Sequence, residues 1–418
     1  MNINTPLPLL AGLSPHAFMR THWQKKPLLI RQAIPGFAPL LSRSELFALA
    51  GQEGVESRLV QCKTAKGQER WRMDSGPFAV PAQAQGAQAK DVQVEVAAVP
   101  ALGLPLPPLS RKLWTLLVQG VDLHHEGVHA LLQNFRFVPD ARLDDLMISY
   151  ATEGGGVGPH FDSYDVFLLQ AQGRRRWRIG AQKDLTLREG LPLKVLQNFA
   201  PTQEFVLEPG DMLYLPPRWA HEGVAEGGEC QTYSIGFRAP SASELARELL
   251  TRLADVVAQE AEGQAARLYT DRQQAATAQP ATLPPELATF AHQALATALK
   301  DKQLMQQLLG EALTEPKAKV WFEASRVPKT IKALRLDRAS RMLVDGKYVF
   351  LNGESWRMGG ADAKLLRKLA RSRALDATDL IATNAQNKRL AAGLPCEPSA
   401  DFMAIVRDWA AQGWVHAS

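Results

Sequence analysis

Three side chains of the 418-residue chain have the types and spacing of a metal site. His160 and Asp162 stand two apart at the end of Gly154-Gly155-Gly156-Val157-Gly158-Pro159-His160-Phe161-Asp162, and His221 closes Pro216-Pro217-Arg218-Trp219-Ala220-His221. On a strand, residues two apart project from one face, so His160 and Asp162 are predicted to point together. Two imidazoles and a carboxylate form the facial set that holds non-haem Fe(II) and leaves positions open for O₂ and a chelating co-substrate; the same ligands also take zinc or manganese. Taken singly, a His-x-Asp is common by chance, and a lone histidine is more often a surface or core residue. Here a glycine-rich approach, the His-x-Asp and the Pro-Pro-x-x-x-His turn fall within one β-rich region, which makes the combination more specific. His124, His125 and His129 have no matching carboxylate and read as structural or surface residues.

Arg175 follows His160 by 15 residues. A dicarboxylate that chelates a metal at one end needs a cation at the other, and a guanidinium binds that group bidentately. Alternation turns Arg175 away from Arg174 and Arg176, so one face of the triplet need enter a barrel; a solvated charge cluster is the other reading.

The elements around these residues are mostly strands. From Leu113 to Phe237 come short apolar runs rich in β-branched and aromatic residues (WTLLVQGV, LMISY, DVFLLQA, RRRWRI, DMLYLPP, TYSIGF), separated by Gly, Pro and Asp. That spacing predicts an all-β barrel or jelly roll. Residues 1 to about 110 contain Ile34-Pro35-Gly36 and Leu104-Pro105-Leu106-Pro107-Pro108, which read as turns and extended connectors between short strands. After Ala239-Pro240, Ser243 is placed to cap a helix carrying Leu245, Leu249, Leu253 and Val256, and helical patterning runs to about residue 313, broken near Pro280 and Pro284-Pro285. Beyond Pro316, VDGKYVFLNGES predicts hairpin turns at Asp345-Gly346 and Asn352-Gly353, followed by helices over Ala361 to Ser372 and Phe402 to Gln412. The domains are therefore drawn at 1–240, 241–315 and 316–418.

Composition narrows the class further. With 46% hydrophobic and 22% charged residues the chain is globular, and its three cysteines have no paired spacing, which disfavours a disulfide framework or structural zinc and fits a reduced, cytoplasmic setting. No signal-peptide pattern opens the chain and no uncharged apolar run reaches 18 residues, so secretion and a membrane are not expected. The net charge of +5 is uneven: residues 316–390 hold 17 Lys+Arg and 7 Asp+Glu, or +10, leaving about −5 elsewhere. Such a stretch can attract phosphate backbone, or can be an ordinary solvated face.

GGGVGPHFDSYDVFLLQAQGRRRWRIG, together with LEPGDMLYLPPRWAHEG and TYSIGFRAP, closely resembles the JmjC-type ribosomal oxygenases, in particular the bacterial ribosomal protein arginine hydroxylases. The likeness runs from about Asp144 to Pro240, with support from His22-Trp23-x-x-Lys26-Pro27-Leu28-Leu29-Ile30; the second half is similar in layout. The resemblance implies an α+β chain with a mainly β core: a double-stranded β-helix of the cupin/JmjC jelly-roll type, a helical dimerisation segment that makes a homodimer, and a winged-helix-like C-terminal domain. It implies Fe(II) held by His160, Asp162 and His221, 2-oxoglutarate anchored by Arg175 with help from the Ser234 hydroxyl, and O₂ as oxidant. The implied reaction is hydroxylation at Cβ of an arginine in the large-subunit ribosomal protein L sixteen.

An arginine substrate demands an acid for its guanidinium and apolar walls for its stem. Alternation through Asp144-Asp145-Leu146-Met147-Ile148-Ser149 puts Asp145, Met147 and Ser149 on one face, which assigns Asp145 to the guanidinium and Met147 to the methylenes. In the other reading, Asp144 and Asp145 only mark a turn. Two alternatives to the whole stand beside it. One is hydroxylation of another ribosomal residue such as histidine; the other is a non-catalytic cupin whose winged helix binds nucleic acid. Contact of the basic tail with ribosomal RNA is compatible with the catalytic reading.

Overall fold

The computed structural model describes residues 2–65, 68–79, 103–263, 267–380 and 399–418, in two compact units, Met1–Ala239 and Pro240–Ser418. The first unit opens with helix α1 (Pro15–Thr21), strand β1 (Leu28–Ile30), helix α2 (Arg43–Ala50) and strands β2 (Ser57–Ala65) and β3 (Gln68–Ser75). Both helices start where their sequence caps them. Ser14 accepts from the Ala17 amide with Pro15 in the first turn, and Ser42 with Glu45 forms a capping box. A short parallel pair, β4 (Phe78–Ala79) and β5 (Leu104–Pro105), precedes β6 (Trp114–Val118), α3 (Glu126–Gln133), β7 (Leu143–Ala151), β8 (Val166–Gly180), β9 (Gln203–Leu207), β10 (Met212–Leu215) and β11 (Ala220–Phe237).

Nine strands form one antiparallel sheet in the order β1-β10-β8-β11-β7-β6-β2-β3, with β9 paired to β8. This is the double-stranded β-helix expected from the sequence. Along β8, Val166 and Leu168 face an inner core with Trp177, Ile179, Leu207, Leu213 and Leu215, whereas Phe167, Leu169 and Ala171 face a larger core with Phe18, Trp114 and Tyr214. Burial on both faces explains why VFLL and MLYL read as continuous apolar runs. Each fully buried side chain of this kind contributes about 1.5–3 kcal/mol. Inward positions are even-numbered at Val166 and Leu168 but odd-numbered at Trp177 and Ile179. The change of phase occurs where the β8–β11 register shifts around Gln231, beside Gly173, whose φ is +64° and whose added Cβ would meet the Glu229 carbonyl at 2.2 Å.

The His22 to Ile30 segment is tied down by a buried carboxylate. Asp165, fully buried, accepts from the Tyr214 hydroxyl at 2.6 Å and Gln24 Nε2 at 3.1 Å, with Arg142 at 3.6 Å. Burial raises its pKa, and these partners oppose the rise.

The second unit contains α4 (Ala242–Gly263), α5 (Pro285–Ala298), α6 (Lys302–Thr314), β12 (Leu334–Leu336), β13 (Met342–Asp345), β14 (Tyr348–Leu351), β15 (Glu354–Arg357), α7 (Gly360–Ser372), β16 (Ala374–Leu375), α8 (Ala400–Ala411) and β17 (Val415–Ala417). Helix α4 begins earlier than expected. Ser241, not Ser243, caps it by accepting from the Glu244 amide at 3.1 Å while Glu244 returns a bond to the Ser241 amide at 2.7 Å. Asn352 and Gly353, at φ +50° and +90°, make the turn between β14 and β15 as expected. The preceding turn is displaced by one residue, because Asp345 still pairs with Tyr348 and leaves Gly346-Lys347 at the tip. Strands β16-β12-β17 form a second small sheet over a core that includes Leu369, Phe402 and Trp409. Of the basic stretch 316–390, residues 381–390 lie outside the described residues. No helix among the described residues is long and apolar enough to cross a membrane.

Candidate metal centre

His160, Asp162 and His221 come together: one ligand atom from each lies within 4.8 Å of the others. They do so without the expected strand. His160 and Asp162 sit on the β7–β8 connection, where His160 makes a single bridge to His221 at the start of β11, exchanging both backbone hydrogen bonds at 2.9 and 2.8 Å. Left-handed Gly158 and the missing N–H of Pro159 prevent a longer ladder. The glycine run lies against β11 so closely that a Cβ on Gly156 would meet the Gly223 carbonyl at 2.6 Å. On the other side, the Arg218 amide donates to the Asp162 carbonyl at 2.7 Å and ties the two ligand-bearing turns together.

The imidazoles are oriented by their backbone. His160 Nδ1 lies 2.9 Å from the Gly158 carbonyl and His221 Nδ1 lies 2.8 Å from that of Trp219. A carbonyl oxygen only accepts, so each Nδ1 carries the proton and each Nε2 keeps its lone pair for a metal. His221 Nε2 is 3.7 Å from Asp162 Oδ2, and the two rings are 4.2 Å apart. The donor set therefore suits a divalent metal.

His221 is buried, and burial first, then the neighbouring His160, pulls its pKa from 6.5 down to about 4 against the opposing pull of Asp162 and the Trp219 carbonyl. The folded state thus holds this imidazole neutral while the unfolded chain protonates it more readily. The corresponding stability is complete above pH 6.5 and is lost as pH falls toward about 4, by up to about 3 kcal/mol. Urea unfolding of chelator-treated protein at pH 7.5 and 4.5 tests this: His221→Gln should show a correspondingly smaller loss, and an identical loss would contradict it.

Arg175 enters the inner face and its neighbours do not. It is 5% exposed, whereas Arg174 and Arg176 are exposed and Arg176 pairs with Glu204 at 3.1 Å and with Glu226. Among the described residues neither Nε nor Nη2 of Arg175 has an acceptor. The guanidinium lies 5.7 Å from the Trp177 ring, which is itself 5.9 Å from the His221 ring, so Trp177 bridges the cation and the metal ligands. An unpartnered buried guanidinium is costly unless an anion completes it, and a carboxylate matches its fork.

Ser234 is half-buried and pairs with Leu168 on one side and Met147 on the other, which puts Ser234 and Met147 on the inner face. Asp145 and Ser149 share that face with Met147 and are buried. Asp144 and Asp145 lie within β7, not in a turn before it. Both Asp145 carboxylate oxygens accept from Gln119 Nε2, at 2.9 and 3.1 Å. His125 caps α3 and His129 contacts Gln133, so these histidines serve structural roles.

Sequence reasoning passed over Tyr164. The side chain is 39% exposed, and partial burial together with the carboxylates of Asp162, Asp145 and Asp144 pushes its pKa upward, so it lies near both the metal ligand Asp162 and the Asp145 end. Its position two residues after Asp162 was the available signal. Nothing in the sequence links Gln119 to Asp145.

Known proteins agree with this architecture. A JmjC domain model matches residues 130–245 and a ROXA-like winged helix model matches 295–416. The ribosomal protein uL16 3-hydroxylase of Escherichia coli (strain K12) is 35% identical over 301 residues, covering 71% of this chain and 70% of that protein. The X-ray structure of E. coli YcfD superposes with a TM-score of 0.73 at 30% identity, covering 96% of this chain and 97% of that one. A further structure of YcfD, described as a ribosomal oxygenase from E. coli in complex with cobalt and 2-oxoglutarate, gives a TM-score of 0.71 at 29% identity, with the same coverage. With this likeness running through both units, the chain belongs to the JmjC-type ribosomal oxygenases.

Proposed function

We propose that the protein is an Fe(II)- and 2-oxoglutarate-dependent hydroxylase of an arginine side chain, at Cβ, in the large-subunit ribosomal protein uL16, acting in the cytoplasm. The observation that carries this reading is the pairing of an oriented His-Asp-His set with a buried, unpartnered guanidinium on the sheet face that carries His221. The name of the E. coli uL16 3-hydroxylase and the cobalt and 2-oxoglutarate complex of E. coli YcfD support it.

When bound, the iron and 2-oxoglutarate supply the oxidising chemistry, consuming O₂ and releasing succinate and CO₂. His160 and His221 present Nε2, and Asp162 presents a carboxylate oxygen. Arg175 offers Nε and Nη2 to the distal carboxylate, and Ser234 supplies a hydroxyl from the neighbouring strand. Trp177 fills the space between Arg175 and His221 with an apolar ring, which keeps water from screening either group. Asp145, fixed by Gln119, receives the substrate guanidinium, and Met147 lines its methylenes. The negative balance outside 316–390 suits a basic substrate.

In this reading residues 1–240 are catalytic, 241–315 mediate a homodimer and 316–418 form the winged-helix-like domain. Helix α5 supports the dimer, since it buries none of its residues and leaves Leu287 and Leu295 exposed.

The test is mass spectrometry of a uL16 peptide after incubation with Fe(II)-loaded protein and 2-oxoglutarate. One added oxygen on arginine is expected, whereas oxygen on histidine would replace the substrate assignment. Asp145→Ala should lower kcat/KM for the peptide about 10- to 100-fold, the cost of hydrogen bonds to a charged group, while KM for 2-oxoglutarate stays unchanged. Unchanged kcat/KM would remove Asp145 from the substrate site.

A further inference from the structure

The second unit carries an irregular segment whose features the catalytic site does not use. Residues 316–333 contain Lys317, Lys319, Arg326, Lys329 and Lys332 against one acid, Glu323, and form no helix or strand before β12. Trp321, in their midst, is 85% exposed.

The segment is fastened from below. Phe322 packs edge-on against Trp414 at 6.3 Å, and Ser325 Oγ donates to the Ala410 carbonyl at 2.8 Å. Arg407 donates to the carbonyls of Pro328 and Lys329 at 3.2 and 2.5 Å. The amides of Lys332 and Ala333 donate to the Ser418 carbonyl at 2.6 and 2.9 Å, and Ile331 is buried. With the backbone held, Lys319, Arg326, Lys329 and Lys332 all stay exposed, and among the described residues none of the four forms an ion pair. An ordinary solvated face mixes charges of both signs. This segment instead combines a strong excess of one sign of charge, a backbone held in place and an indole open to stacking, the features that grip a single-stranded polynucleotide.

We propose that residues 316–333 form a docking rail for single-stranded RNA, with Trp321 stacking on a base and Lys319, Arg326, Lys329 and Lys332 contacting phosphates. The choice of RNA over DNA rests on the ribosomal reading of the catalytic unit; the polyanion surface itself does not.

The test uses the full chain and a fluorescein-labelled mixed-sequence RNA 20-mer, followed by anisotropy between 50 and 300 mM KCl. Four phosphate contacts predict a slope of log affinity against log salt of about −3. Lys329→Ala with Lys332→Ala should bring it to about half that. Trp321→Ala should weaken binding about 5- to 100-fold, and RNA should quench the fluorescence assigned to Trp321 by comparison with that variant. Hydroxylation of the free peptide by Trp321→Ala should equal that of the parent, which separates this surface from the catalytic reading. Absence of binding at 50 mM salt, or binding indifferent to both substitutions, would overturn the proposal. Tighter binding of the matching DNA strand would reject RNA as the partner. Displacement by polyglutamate at equal charge, without Trp321 dependence, would reassign the rail to an acidic protein.

Discussion

His160→Ala is expected to bring 2-oxoglutarate turnover to background. The ligand set has three members and no described neighbour to substitute, because the grouped donors are His160, Asp162 and His221 alone among the described residues. Loss of a group that merely orients a ligand costs about 10- to 100-fold in metal affinity or activity, so loss of a ligand should exceed that. Folding should survive, since the backbone exchange between His160 and His221 needs no side chain. Calorimetric titration with Co(II) and succinate release with excess Fe(II) are the measurements. An alanine protein that binds metal with parental affinity and forms succinate normally would end the metal assignment.

The second large effect concerns Arg175. Arg175→Met is expected to raise KM for 2-oxoglutarate steeply: truncating one member of a buried, hydrogen-bonded charge pair costs about 2–5 kcal/mol, on the order of 30- to several-thousand-fold. Arg175→Lys should recover only part of this, because an ammonium keeps the charge but lacks the planar fork. The same methionine should make the cofactor-free protein more stable, by about 1–3 kcal/mol, since it removes a buried group with two unpartnered donors. Opposite signs for ligand affinity and apo stability distinguish an anion site from a structural arginine. If stability falls and KM for 2-oxoglutarate is unmoved, Arg175 is structural.

Much of the centre was legible because its signals are local. His-x-Asp, the Pro-Pro turn before His221 and the alternation through Asp145, Met147 and Ser149 each occupy a few consecutive residues, and the structure brings the first two together and puts the last three on one face. The expected strand at His160 is absent because Gly158 and Pro159, which resemble the approach to a strand, instead limit its pairing to one bridge. The helix cap at Ser241 was missed because Ser243 offers the same chemistry two residues later, and only the return bond from Glu244 decides between them. Gln119 and Trp177 meet partners 26 and 44 residues away, Asp145 and His221, whose approach depends on barrel closure, and one-dimensional pattern carries none of that. The first unit's helices were likewise hidden. They are short, and proline in the first turn of α1 reads as a break until its N-terminal position is known.

The register shift beside Gly173 has a consequence for how this chain tolerates error. It acts as a parity switch: even positions face inward before it, odd positions after it. Were one residue lost at that corner, the strands would remain, yet Arg174, Arg176 and Arg178 would turn inward together and Arg175 outward. Three guanidinium groups in an apolar core cost far more than one that awaits an anion. The arginine triplet therefore works as a checksum on strand alignment: only the phase that admits a single cation gives a core the protein can bury, and that same phase is the one that leaves a cation facing the metal ligands.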